Sequence, residues 1–254
     1  MKNKKYEILE DDFIIHKGKK LYRIKALRYV YVGGYPSAIT IKPGQLGGYV
    51  EGYYNLSQEG NCWVDVGAKV YGNARISDDA RIEDEAEVFG NARIEDSANI
   101  YNNAKVYGNA LVIDNSIIGG NAKVYSNARI LGMNTVIIGS SKVSGSSVIC
   151  NEVYIEGADI YDNAKVCARI LINSSSVYGN ACVSGGTSSN SRLAITSDAR
   201  VFENAEVQGN IRITFSASVH GNAKIVEVVG KGLNNVCESV SNNSRVSCNF
   251  AFLS

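Results

Sequence analysis

From residue 64 the chain places a branched aliphatic residue at every sixth position: Val64, Val70, Ile76, Ile82, Val88, Ile94, Ile100, Val106, Val112, Ile118, Val124, Ile130 and Val136. Two positions ahead of most of them stands a small residue, from Ala68, Ala74 and Ala80 to Ala122 and Ala128, with Ser116 in one slot. Alternate side chains of an extended segment share a face, so in Asn73-Ala74-Arg75-Ile76-Ser77 the small and the branched residue point one way and the polar ones the other. A unit of this length cannot bury its apolar side alone. Identical units must stack, and this short period predicts a parallel β-helix solenoid. Between the strands come Gly72-Asn73, Asp78-Asp79, Gly90-Asn91, Asn102-Asn103 and Gly108-Asn109, residue types that accept left-handed backbone and so mark corners.

A second, longer period sets the size of a coil. The residue after the aliphatic one is aromatic at Tyr71, Phe89, Tyr107 and Tyr125, a spacing of eighteen. Three hexads therefore close one coil. Successive coils sit about 4.8 Å apart, which stacks these rings into an external ladder with Lys69, Lys105 and Lys123 beside it. The six-step grid slips after Val136, where the step to Val143 is seven, and again at Ile155 to Ile160 and Ile172 to Val177, where it is five. It resumes from Val183 onward, with Ile195, Val201, Val207, Ile213, Val219 and Ile225 on the grid and the Ser-rich stretch Thr187 to Ser191 across one weak unit.

The pattern divides the chain into three: a β-rich N-terminal capping region at 1–60, the hexapeptide-repeat β-helix at 61–225, and a C-terminal cap at 226–254. The first region reads as short strands, Tyr6 to Leu9, Phe13 to His16, Leu21 to Ala26 and Ala38 to Ile41. It is expected to pack on the first coil, because a bare solenoid end exposes unpaired backbone.

Composition adds boundaries rather than a function. The 254 residues carry a formal net charge of +1, which gives no global steering toward nucleic acid or an anionic membrane. The basic start Met1-Lys2-Asn3-Lys4-Lys5 leads into an acidic stretch without an apolar run, so neither a signal peptide nor a membrane span is expected, and the expected compartment is the cytoplasm. The six cysteines lack CxxC spacing and are expected to serve as small buried side chains rather than disulfides or metal ligands.

The unit with Ile or Val, then Ala or Ser four residues on, resembles that of the hexapeptide-repeat acyltransferases. That resemblance implies an all-β fold, a left-handed parallel β-helix; the general rule for parallel crossovers would give the opposite hand. It also implies trimers with a catalytic histidine between subunits. The strings Leu21-Tyr22-Arg23-Ile24-Lys25-Ala26-Leu27-Arg28, Gly47-Gly48-Tyr49-Val50-Glu51 and Asn55 to Val64, followed by repeats of the Val-Tyr-Gly-Asn-Ala-Arg type, resemble the YdcK-like proteins of bacteria, phages and prophages. This second resemblance spans almost the whole chain. It implies a phage-encoded protein that acts on a host protein, such as an inhibitor of a host defence system.

Catalytic candidates are few. An acyl transfer needs a base near neutral pH, normally histidine, and the chain has only His16 and His220. His16 is expected on the surface outside the solenoid. His220 falls in the aromatic column, eighteen residues after Phe202, so ladder membership is the simpler account. General base of an acyl-CoA-dependent transferase is the alternative. The carboxylates at Asp78, Asp79, Glu83, Asp84, Glu85, Glu95 and Asp96 interleave with Arg75, Arg81 and Arg93 and read as a mixed-charge face, not a metal site. No cofactor is expected otherwise.

The leading reading is a non-enzymatic rigid solenoid that binds a protein partner. The partner-binding residues would be Tyr71, Phe89, Tyr107, Tyr125, Lys69, Lys105 and Lys123 on the ladder, with Tyr22, Arg23, Arg28 and Tyr49 in the N-terminal region. A homodimer or homotrimer through the same stripe is a further expectation, while single-stranded nucleic acid is disfavoured.

Overall fold

The structure, a computed structural model, describes residues 4–33, 39–186, 192–227, 234–236, 240–241 and 245–248. The chain forms two compact units, 1–131 and 132–254. Among the described residues there is no helix, and so none long and apolar enough to cross a membrane. Both units are β-solenoids whose coils contribute one short strand to each of three parallel sheets.

In the first unit, strands at Lys69–Val70, Glu87–Val88, Lys105–Val106 and Lys123–Val124 form one sheet, and those at Arg75–Ile76, Arg93–Ile94, Leu111–Val112 and Arg129–Leu131 the second. Trp63–Val64, Arg81–Ile82, Asn99–Ile100 and Ile117–Ile118 form the third. Every pairing joins residues eighteen apart, as in Ile76↔Ile94↔Val112 and Val88↔Val106↔Val124. The aliphatic residue and the alanine before it are both buried, with Val70, Ile82, Ile94 and Val106 at 0% exposure. Side chains of this kind contribute about 1.5–3 kcal/mol each when fully buried, and here each packs on its counterpart one coil above and below.

The corners explain the polar part of the repeat. Asp78, Asp84, Asp96, Asn102 and Asp114 have φ between 54° and 60°, and several bond the next coil: the backbone N–H of Asp96 donates to Asp78 Oδ2 and that of Asn102 to Asp84 Oδ2. At Gly90 (φ 73°) a Cβ would stand 2.9 Å from the backbone nitrogen of Gly108, so only glycine stacks there without displacing the coil. The asparagines after these corners form an amide ladder, Asn73 to Asn91 to Asn109 to Asn127, each Nδ2 donating to the next Oδ1 at 2.9–3.0 Å.

The N-terminal region is built onto the first of these sheets. Strand β1 (Tyr6–His16) pairs antiparallel with β2 (Lys19–Ala26), irregularly between Leu9 and Phe13 where two separate strands were expected. A short antiparallel pair follows, β3 (Val30–Val32) with β4 (Ile39–Ile41). Strand β5 (Leu46–Val50) then pairs antiparallel with β2 and parallel with Lys69–Val70. It thereby converts a hairpin into the first rung of the solenoid and covers the open end of that sheet.

The second unit uses the same three-sheet plan with a shorter turn. Cys150↔Cys167, Ile155↔Ile172 and Ile160↔Val177 pair at a spacing of seventeen, because the corners at Glu156-Gly157-Ala158 and Asn173-Ser174-Ser175 hold one residue fewer. A second amide ladder runs Asn163, Asn180, Asn204 and Asn222. The sequence grid is corrected at one place: Ile137 is fully buried and Val136 only half-buried. The extra residue therefore lies in the turn around Gly132-Met133-Asn134, ahead of Ile137. The C-terminal cap expected at 226–254 falls mostly outside the described residues. Its described strands, Asn234–Val236 and Arg245–Cys248, pair in parallel with Ile211–Ile213 and Lys224–Glu227.

The expectation for the cysteines is also corrected. Cys150 and Cys167 stand directly opposite each other at outward positions of neighbouring strands and form a disulfide. Cys62 is buried in a small-residue slot, as expected, whereas Cys182 is exposed. Cys237 and the side chain of Cys248 lie outside the described residues.

Candidate binding face

The outer face of the first sheet in unit 1 carries two parallel columns, because residues on either side of each inward valine both point outward. One column is aromatic. Tyr71, Phe89, Tyr107 and Tyr125 stack with ring centroids 5.0, 4.7 and 5.0 Å apart and planes within 5° of parallel. The other runs Arg23, Tyr49, Lys69, Glu87, Lys105 and Lys123, in register from β2 through β5 to the fourth solenoid strand.

Glu87 was not singled out from the sequence, although it sits eighteen residues after Lys69 and eighteen before Lys105. It organises the upper half of the face. Its carboxylate accepts hydrogen bonds from Lys17 Nζ at 2.6 Å, Lys105 Nζ at 2.7 Å and the Tyr71 hydroxyl at 2.8 Å, and His16 Nε2 lies 3.1 Å away. Burial acts to raise the Glu87 carboxyl, but the bonds from Lys105, Lys17, Tyr71 and His16 outweigh it and hold the group far below the usual carboxylate range. The Tyr71 hydroxyl moves the other way, raised by burial and by donating to Glu87.

His16 ends β1 and Lys17 opens the turn to β2, so this cluster clasps the hairpin tip onto the solenoid face. Two expectations are thereby corrected. Tyr71 is 4% exposed, covered by the tip, with Lys17 Nζ over its ring and that of Phe89 and the His16 ring edge-on at 5.4 Å. His16 is not a free surface residue, because it packs between Tyr71 and Glu87. The usable face begins at Phe89 and continues over Tyr107 and Tyr125, all half-buried.

Among the lysines, Lys69 is tied to Glu85 and the Gly67 carbonyl, and Lys105 to Glu87. Lys123 is exposed and has no ion-pair partner among the described residues. Of the N-terminal candidates, Arg23 and Tyr49 extend the column, the guanidinium lying 4.2 Å above the Tyr49 ring. Tyr22 projects from the opposite face of β2, near Phe13 at 6.4 Å, and Arg28 binds the carbonyls of Tyr29 and Gly60, so neither joins the face.

Because the folded Glu87 carboxyl lies far below its unfolded value, the clasp contributes fully above the ordinary glutamate pKa of about 4.3, and that contribution declines progressively as pH falls from there toward the much lower folded value. Hydrogen exchange across residues 13–22 should report the loosening at acid pH. Glu87→Gln should loosen the tip by about 2 kcal/mol at neutral pH and abolish that pH dependence. A hairpin equally protected at pH 3 and pH 7 would refute the clasp.

Unit 2 carries its own ladder: Tyr161, Tyr178, Phe202 and His220 stack at 4.7, 4.9 and 4.9 Å. His220 thus occupies an aromatic slot, its ring parallel to Phe202 within 6°, with Nδ1 3.8 Å from Glu203 Oε2. Two surface clefts of this unit, one bordered by Glu152, Tyr154, Arg169 and Arg192 and one by Lys142, Asp159 and Arg200, do not include it.

Residues 104–120, about one coil of the first unit, match the family described as the YdcK beta solenoid repeat. No curated protein matches the chain.

Proposed function

We propose that this YdcK-like repeat β-solenoid is a non-enzymatic rigid scaffold whose face of Phe89, Tyr107 and Tyr125, bordered by Lys105 and Lys123, docks a protein partner. The observation that carries the reading is the unbroken ring stack beyond the hairpin tip, half-buried and ending beside the exposed Lys123, which has no ion-pair partner among the described residues. Stacked rings on a rigid sheet lose little conformational freedom on binding, and aromatic anchors concentrate interface energy. The resemblance to phage and prophage proteins makes a host protein the natural partner and inhibition of a host defence system the natural outcome. A second copy of the chain could occupy the same face.

The test changes Tyr107 and Tyr125 together to Ser. Folding should be nearly unaffected, since neither ring reaches the core. Affinity for a partner isolated from host cells, measured by titration, should fall at least about thirtyfold, the equivalent of one anchor worth about 2 kcal/mol. Light scattering on the same variant reads self-association. Partner affinity and assembly both equal to wild type would end the proposal for this face.

A further inference from the structure

Lys5 and Cys62 form a buried pair outside the binding face. Both are at 0% exposure. Lys5 Nζ lies 3.0 Å from Cys62 Sγ, 2.8 Å from the Cys62 carbonyl and 3.2 Å from the Glu59 carbonyl. A fully buried lysine is rare unless it is paired, and among the described residues the side chain that its ammonium meets is a thiol. Cys62 stands two residues before Val64, the slot the repeat fills with alanine, so packing alone does not call for sulfur. The two groups are held together from both sides. The Lys5 backbone N–H donates to Gln58 Oε1 at 2.8 Å, and the Tyr6 hydroxyl donates to the Leu56 carbonyl at 2.7 Å. Burial pushes the Cys62 thiol up and the Lys5 ammonium down, so the uncharged amine, the nucleophilic form, is favoured over what an exposed lysine would show.

We propose that Lys5 and Cys62 are an oxidation-dependent crosslinking site, at which hydrogen peroxide joins Nζ to Sγ as a sulfenamide. The sulfur attacks one peroxide oxygen, the O–O bond breaks, and the thiol proton leaves with the departing hydroxide as water, giving the sulfenic acid. Sulfenic acids condense with a backbone nitrogen to a sulfenamide, and here the nitrogen at hand is Lys5 Nζ, 3.0 Å from the sulfur. The Nζ lone pair attacks sulfur, the S–O bond breaks, and the hydroxyl leaves as a second water with a proton from nitrogen. Thiol, amine and peroxide thus become one S–N bond and two waters, sulfur losing the two electrons that peroxide gains. Peroxide is small enough to enter through local opening, whereas a bulky thiol that would otherwise cap the sulfenic acid is kept out by the same packing. The bond would staple the start of β1 to the first coil, 57 positions along the chain, and a small reducing thiol would release it.

The experiment treats the full-length protein with hydrogen peroxide, digests it and maps the peptides by mass. The expected product is a Lys5 peptide joined to a Cys62 peptide, lighter than their sum by two hydrogens, lost after reduction and absent in Cys62→Ser. Lys5→Arg keeps hydrogen-bond donors beside Cys62 but offers a poor nucleophile, and it should divert Cys62 to sulfinic and sulfonic acids. Exposed Cys182 reports that oxidation took place. Oxidised Cys182 beside an unmodified Cys62 and Lys5, or over-oxidised Cys62 in the wild type with Lys5 free, would overturn the assignment. A joined pair carrying an additional oxygen would overturn the S–N bond.

Discussion

Ile94→Asp should unfold or aggregate the first unit, whereas Arg93→Asp one residue away should be mild. Ile94 is fully buried and lies directly over Ile76 and under Val112. An aspartate there removes the branched side chain that Ile76 and Val112 pack against in the neighbouring coils and places a carboxylate among aliphatic groups. Burying an unpaired charge in such a site costs about 4 kcal/mol or more, a large part of the stability of a domain. Arg93 is exposed and forms an ion pair with Glu95 on the outer face. Its replacement costs one surface ion pair and adds a like charge, about 1 kcal/mol in sum. The check is urea unfolding of both variants. Equal midpoints for the two would mean that the assignment of inward and outward positions is wrong.

Reducing the Cys150–Cys167 disulfide should lower the thermal midpoint by roughly 6–12 °C, from about 3 kcal/mol of lost stability for a loop of this size. The two cysteines are 17 residues apart in the chain and already opposed by strand pairing. The folded state therefore gains little from the bond, and most of the effect lies in the unfolded chain, which regains the freedom of one whole coil. Cys150→Ser should melt where the reduced wild type melts and be insensitive to reductant. A midpoint that reductant leaves in place would show that the bond carries no stability.

The inward ladder is readable in the sequence because a narrow prism dictates each position separately. Two residues per hexad point inward, one must be small and the other branched, and the demand repeats with no tertiary context beyond the neighbouring coil. The same logic made the column of Tyr71, Phe89, Tyr107 and Tyr125 visible at eighteen residues. The carboxylates at the corners were equally periodic, yet reading them as solvated charge missed their bonds to the backbone N–H groups of the next coil, which depend on left-handed geometry at Asp78 and Asp84. The seven-residue step was visible but not its position, since Val136 and Ile137 are both aliphatic and only the placement of the turn at Gly132-Met133-Asn134 selects which one faces inward.

What the sequence by itself determined is therefore whatever one short unit imposes on its copies: the parallel β-solenoid, its three-strand coil, the buried aliphatic residues and the aromatic columns, including the place of His220. The tertiary structure alone decided which part of the aromatic column is open. Strand β5 pairs both with β2 and with Lys69–Val70, and that non-local pairing swings the β1–β2 tip over Tyr71 and brings His16 and Lys17 to Glu87. It likewise decided which cysteines meet: the five-residue step from Ile155 to Ile160 was legible, but the strand pairing alone shows that the shortened coil sets Cys150 opposite Cys167.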